Sequence, residues 1–302
     1  FPQDVKVGER ILIDDGKLVF EVIETNNVDI VRAKTIQGGP LSSKKGVNLP
    51  NTKISLPAMT EKDVADAIFA IEQKLDWIAL SFVRSPKEIK DLKERIKRFQ
   101  HQACVIAKIE KPQAVEKIEK IVKASDGIMI ARGDLGVEMP IEKLPGIQKR
   151  IIALCVQYGK PVIVATQMMD SMITNPSPTR AEVTDVANAV LEGTDAVMLS
   201  GETSVGAYPV ETVRAMNRII AEAEKNYPKN HIRPYPSPKS DTFMSDVVCF
   251  NAAKTAEELG ASAIIGMTAQ GYTGFKISSY RSPAEIFIFS DRKEIAGMLN
   301  LV

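Results

Sequence analysis

The sequence predicts an α/β protein organised around a parallel sheet covered by helices, with a small all-β unit before it and a second α/β unit after it. Three observations predict this. Short alternating runs separated by turn residues fill positions 10–36; the apolar period then changes and strand-like runs alternate with amphipathic helices. A proline-, lysine- and serine-rich stretch finally separates that block from a further strand-and-helix pattern.

With 302 residues, 44% hydrophobic and 25% charged, the chain has globular composition and a length that suits about two or three domains, which excludes a solvated random coil. The formal charge is +1 with acids and bases mixed throughout, so no basic face for nucleic acid is expected. No apolar run approaches the roughly 20 residues of a membrane span, and no charged start leads into a signal-peptide core. The expectation is a soluble, cytoplasmic protein. Cys104, Cys155 and Cys249 lie far apart without a Cys-x-x-Cys pair, which suits reduced thiols. His101 and His231 fall outside any strand-end motif, leaving lysine and carboxylates to carry the chemistry. The sequence opens at Phe1, within a strand-rich region, and reads as part of a longer protein.

In the first unit, runs at 10–13, 17–24 and 28–36 are divided by Asp14-Asp15-Gly16 and Asn26-Asn27, a hairpin pattern. It closes with Gly38-Gly39-Pro40 and the basic Lys44-Lys45-Gly46, after which Asn48-Leu49-Pro50 leads out. From Thr60 the period becomes helical over 61–73. Five apolar strands then follow at 77–82, 104–107, 127–131, 161–165 and 196–199, each succeeded by a helix. The first of these helices has a capping box, with Ser85 as N-cap, Pro86 first and Glu88 third; the helix before the fourth strand stops at Gly159. Fully apolar strands in repeated βα units give a parallel sheet, doubly wound or part of a (β/α)₈ barrel, and five units do not close eight strands. A linker is expected at 227–240, then a helix over 246–259, a strand at 263–267, a loop over 268–274, a helix, and a strand at 286–289. Val302 falls inside what reads as another helix, as though this last unit were cut short. Expected domain limits are 1–53, 54–226 and 227–302.

In parallel βα architectures ligand groups gather where the strands end. The second strand runs into Lys108-Ile109-Glu110, and alternation puts Lys108 and Glu110 on one side. The third ends in Arg132-Gly133-Asp134-Leu135-Gly136-Val137-Glu138, where glycines beside an acid let backbone N–H groups approach a small anion. The fourth ends in Thr166-Gln167 and the fifth in Ser200-Gly201-Glu202-Thr203. Two carboxylates from neighbouring strand ends, Glu110 and Asp134, are the usual protein share of a magnesium site, and a lysine beside them suits charge developing on an enolate or a phosphoryl group. The alternative is a salt bridge from Lys108 to a carboxylate that closes the barrel end. No P-loop or strand-linked Gly-x-Gly-x-x-Gly is present.

These strand ends, in order, resemble the pyruvate kinase family: Val105-Ile106-Ala107-Lys108-Ile109-Glu110, Gly127 through Gly136, Ala165-Thr166-Gln167-Met168 and Met198-Leu199-Ser200-Gly201-Glu202-Thr203. Lys44-Lys45-Gly46-Val47-Asn48-Leu49-Pro50 is similar to the family's return from its lid, and the likeness covers almost the whole chain. The resemblance implies a partial (β/α)₈ TIM barrel, strands four to eight, with a small β-barrel lid domain and a truncated α/β regulatory domain. It implies phosphoryl transfer from phosphoenolpyruvate to ADP, giving pyruvate and ATP in glycolysis. Glu110 and Asp134 would bind Mg²⁺ or Mn²⁺, and Lys108 would stabilise the transferring phosphoryl group and the enolate. The backbone of Gly133 and Asp134 would hold the substrate carboxylate, Thr166 would serve the substrate and the proton relay, and Lys45 would reach the nucleotide. It further implies a homotetrameric parent and a potassium site outside this chain. With the first three barrel strands absent, the chain by itself is expected to lack normal activity. Thr268-Ala269-Gln270-Gly271-Tyr272-Thr273 resembles the effector phosphate loop, with Gln270 where a serine is common; Asn51 replaces the usual glycine. A barrel lyase or aldolase with the same metal and enolate chemistry is the competing reading, separated by ADP dependence; a fragment kept for interaction is a third.

Overall fold

The computed structural model describes residues 1–14, 16–43, 45–50, 52, 59–226 and 235–302. Asp15, Lys44, Asn51, His231, the expected domain junctions near 53 and 226, and the first part of the expected linker lie partly or wholly outside the described residues.

The first unit is a four-stranded antiparallel sheet of β1 (Arg10–Ile13), β2 (Leu18–Thr25), β3 (Val31–Gln37) and β4 (Val47–Asn48), in the order β3-β2-β1-β4. Its core is Val5, Ile11, Val22 and Leu49. The third strand begins at Val31 rather than Val28. Asn26 Oδ1 accepts the backbone N–H groups of Val28, Asp29 and Ile30, each at 3.0 Å, so the side chain takes the partners a strand ladder would need.

The second unit runs α1 (Glu61–Glu72), β5 (Trp77–Leu80), α2 (Pro86–Arg98), β6 (Cys104–Ile109), α3 (Pro112–Glu116), α4 (Ile118–Ala124), β7 (Gly127–Ala131), α5 (Arg132–Glu138), α6 (Leu144–Tyr158), β8 (Val162–Ala165), α7 (Arg180–Leu191), β9 (Ala196–Met198), α8 (Gly201–Ser204) and α9 (Pro209–Lys225). The five strands form one parallel sheet in sequential order. Alternation divides its side chains between two cores. Val105, Ala107, Ile109, Ile128, Ile130, Val162 and Val164 pack outward against the helices. Ile106, Met129, Ile163 and Ala165 pack together on the inner face, with Trp77, Met198 and Leu301 against them.

Local sequence explains several helix ends. Thr60 caps α1 through a reciprocal box with Asp63, and Thr179 caps α7 through one with Glu182. Glu88 accepts the N–H groups of Arg84 and Ser85 at the start of α2. Gly159 ends α6 in the left-handed region at φ 59°.

The last unit contains α10 (Phe243–Leu259), β10 (Ala263–Met267), α11 (Tyr272–Ser279), β11 (Glu285–Phe289) and α12 (Lys293–Leu299), with β10 and β11 parallel. Two expectations change here. The final helix stops at Leu299, and α11 takes Tyr272, Thr273 and Gly274 out of the expected loop. This unit sits at the N-terminal edge of the parallel strands: Trp77 Nε1 donates to Met298 O at 3.1 Å and its ring meets Phe275 edge-on. Arg281 Nη2 also lies 2.7 Å from Asp195 Oδ1. The opposite edge stays open to the lid. Among the described residues, no helix is long and apolar enough to cross a membrane.

Candidate active site at the strand ends

Four of the parallel strands deliver polar groups to the edge that faces the lid. β6 extends through Ile109, two residues beyond the expected limit, and so carries Lys108 as a strand residue in register with Met129 of β7. Lys108 Nζ donates to Ser81 Oγ at 3.0 Å and lies 2.7 Å from Glu110 Oε1. Glu110 is fully buried, and its Oε2 accepts the Phe82 N–H at 2.6 Å. β5 stops at Leu80, short of the expected Phe82, because the chain bends there: Phe82 has φ 53° and turns its N–H onto the carboxylate. Glu110 Oε1 itself receives no hydrogen bond. The Lys108 ammonium is close enough for charge attraction but does not meet hydrogen-bond geometry, so that oxygen retains acceptor capacity.

β7 passes directly into α5, and the stretch of glycines and acid is therefore the first turn of a helix. Its N–H groups lack intrahelical acceptors. The Gly133 N–H is given to Thr166 Oγ1 at 2.7 Å, and Asp134 stands in the same turn. Thr166 hydroxyl in turn donates to Ala165 O at 2.5 Å. Thr166 and Gln167 both have positive φ, 70° and 53°, a costly conformation for a β-branched residue that surrounding structure must impose. Arg132 does so: Nη2 donates to Thr166 O at 3.0 Å, while Nη1 pairs with Asp185 of α7 at 2.7 Å. Sequence reading quoted Arg132 only as part of a motif; the brace is invisible until β7 and α7 are adjacent.

Glu202, read as one of the mouth carboxylates, is committed elsewhere. It is buried and accepts the N–H groups of Ser200 and Met169, stitching two strand ends together. In the lid, Lys45 Nζ pairs with Asp14 Oδ1 at 2.9 Å, and Lys17 approaches the same carboxylate at 3.4 Å. The hydrogen bond from Lys45, together with the charge of Lys17, holds the Asp14 carboxyl below its ordinary range against the opposing effect of desolvation. Asp14 thus does more than form a turn.

Sequence reasoning also missed what Glu138 does. Its side chain, 1% exposed, has Lys111 Nζ at 2.5 Å and Asn48 Nδ2 at 3.1 Å, both on Oε1. Cavities of about 480 Å³ between α7 and α9, and about 440 Å³ where α12 meets the strand bases, hold none of these residues.

The donor set fits a divalent cation. Glu110 offers a buried carboxylate oxygen with no hydrogen bond, the hard oxygen such a cation takes, and Asp134 lies in the first turn of the helix after the next strand. Among the described residues no three His, Cys, Asp or Glu side chains come together. A cation here would therefore take its remaining oxygens from water and ligand.

A parallel β/α sheet with lysine and carboxylates at its C-terminal edge, roofed by an antiparallel lid and backed by an α/β unit, defines a lidded protein of the β/α-barrel class. The family description "Pyruvate kinase, barrel domain" matches residues 1–213, and "Pyruvate kinase, alpha/beta domain" matches residues 246–302. The chain belongs to the pyruvate kinase family. It is 44% identical over 303 residues to a pyruvate kinase of Clostridium perfringens, covering 99% of this chain and 64% of that protein. It is 45% identical over 301 residues to one of Mycobacterium intracellulare, covering 98% of this chain and 62% of the relative. A pyruvate kinase of Geobacillus stearothermophilus is 45% identical over 304 residues, 99% of this chain and 51% of that protein. The chain thus spans under two thirds of the length of these relatives.

Proposed function

We propose that these residues form the catalytic edge and lid of an enzyme that transfers the phosphoryl group of phosphoenolpyruvate to ADP, yielding pyruvate and ATP. The observation that carries the proposal is the Lys108 ammonium held 2.7 Å from a fully buried Glu110 carboxylate at a strand end, in a chain of this family. Glu110 and Asp134 would hold Mg²⁺ or Mn²⁺, which when bound would neutralise anionic oxygens of the substrates.

Lys108 supplies a fixed positive charge where the phosphoryl group leaves and the enolate forms, and the buried carboxylate beside it holds that ammonium in place. The backbone of Gly133 and Asp134, at the start of α5, would bind the substrate carboxylate. Because Thr166 Oγ1 now takes the Gly133 N–H, a carboxylate arriving there would release the hydroxyl toward the substrate. Thr166 would then relay a proton to the enolate carbon after phosphoryl transfer. Lys45 would leave Asp14 to meet the nucleotide phosphates. The domain limits 1–53, 54–226 and 227–302 and a cytoplasmic setting rest on the sequence pattern; a homotetramer and a potassium site outside this chain rest on the family resemblance.

The test is pyruvate release from phosphoenolpyruvate and Mg²⁺ by the longer protein that contains these residues, with and without ADP. Nucleotide-dependent release is expected. Pyruvate release without ADP, or none at all, would refute the proposal. The 302-residue chain assayed in parallel is expected to turn over poorly, because the edge strands β5 and β9 have no further partners among the described residues.

A further inference from the structure

We propose that Glu138 is the point at which the lid docks on the strand ends, and that Asn48, Lys111 and Glu138 are positioning residues for the reaction assigned above. The proposal rests on that reading for its consequence and on geometry for its existence. One buried carboxylate oxygen receives both Asn48 Nδ2, at 3.1 Å, and Lys111 Nζ, at 2.5 Å. Each of the three residues lies beside a candidate functional group. Asn48 is in β4, paired with Leu12 of β1 and three residues past Lys45. Lys111 follows Glu110, and its ammonium stands 5.5 Å from the centre of the Phe82 ring, the residue whose N–H holds Glu110. Glu138 ends α5, whose first turn contains Gly133 and Asp134.

The neighbouring lid turn comes near the same place. A Cβ built on Gly16, in the β1–β2 turn, would lie 3.8 Å from Val137 Cγ1, so this turn passes close to the end of α5 without a side chain of its own between them.

The stability of α5 does not account for Glu138. A carboxylate in the last turn of a helix opposes the helix dipole, and burying it carries a desolvation cost that only paired donors offset. Lys111 alone would neutralise the charge. The bond from Asn48 adds a link between lid and barrel, which breaks when the lid lifts and re-forms when it closes. Closing it sets the distance between Lys45 above and Lys108 with Glu110 below.

The test is amide hydrogen exchange by mass spectrometry on the 302-residue chain. Asn48→Ala leaves the Lys111–Glu138 pair intact and should speed exchange over residues 10–25 by about tenfold, the worth of one hydrogen bond to a charged group, while strands β6 to β8 stay unchanged. Glu138→Gln keeps the shape and removes the charge, and should shift the lid in the same direction. ADP affinity by calorimetry should fall by a similar factor in Asn48→Ala, with Mn²⁺ affinity unchanged, which a role in folding alone would not produce. Lid exchange identical to the parent in both variants, or faster exchange in lid and barrel alike, overturns the proposal. If ADP fails to bind the parent chain, the functional reading falls, and lid exchange still decides the docking point.

Discussion

Removing the Lys108 ammonium while keeping its volume, by Lys108→Met, tests the electrostatics of the site without requiring turnover. Two unit charges 2.7 Å apart attract by about 6 kcal/mol at an effective dielectric near 20. That gross figure is offset by desolvation, and the lysine side chain is 25% exposed, so solvent screens part of it. Glu110 has no exposure at all, and its Oε1 would be left with neither charge partner nor hydrogen bond. Stranding one member of a buried pair costs about 3–5 kcal/mol, and screening places this case near the lower end, about 3 kcal/mol. Urea unfolding followed by far-ultraviolet circular dichroism reads the loss. Mg²⁺ should then recover much of it in the variant and little in the parent, because a cation at Glu110 substitutes for the missing ammonium. Equal stability of variant and parent, or an equal Mg²⁺ effect on both, would refute the placement of Lys108 and Glu110 as a coupled cation-binding pair.

Thr166→Val should cost about 1–3 kcal/mol by leaving the Gly133 N–H without its acceptor, and should reduce turnover of the longer enzyme well beyond what Thr166→Ser does; thermal unfolding and steady-state kinetics separate the two effects. Asp14→Asn removes the group that holds Lys45, so ADP should bind up to about fivefold tighter at low salt, with the gain shrinking as salt rises; calorimetry at two ionic strengths checks it. Arg281→Ala should loosen the last unit from the strand bases. Burial pushes the Asp195 carboxyl above its ordinary range, and Arg281 opposes that rise. A raised acid costs stability where it is ionised and ceases to do so once pH falls through its folded-state value. The variant's deficit should therefore be largest near neutrality and shrink as acidification protonates Asp195, as unfolding curves at several pH values will show.

Period and punctuation made the fold legible. The strands at Gly127–Ala131 and Ala263–Met267 begin and end where the apolar runs do, and Gly159 stops α6 because only glycine adopts φ 59° without strain. Two strand limits moved where a side chain competes with the backbone ladder. Asn26 delays β3 by capturing three N–H groups, and the turn at Phe82 shortens β5 to serve Glu110. Neither is a matter of hydrophobic pattern, so neither shows in a periodicity reading.

Sequence alone determined that Lys108 and Glu110 lie on one side of a strand end, because the two-residue repeat of an extended chain depends on nothing distant. It also determined that carboxylates, a lysine, a hydroxyl and glycine amides arrive at successive strand ends. Tertiary structure decided which of them are engaged. Glu202 is drawn into the backbone of two neighbouring strand ends, Arg132 clamps the strained Thr166 turn to α7, Lys45 waits on Asp14, and Glu138 joins residues 48 and 111. These links cross dozens of residues, and their partners depend on strand order and on how the lid rests upon α5, quantities that local spacing does not contain.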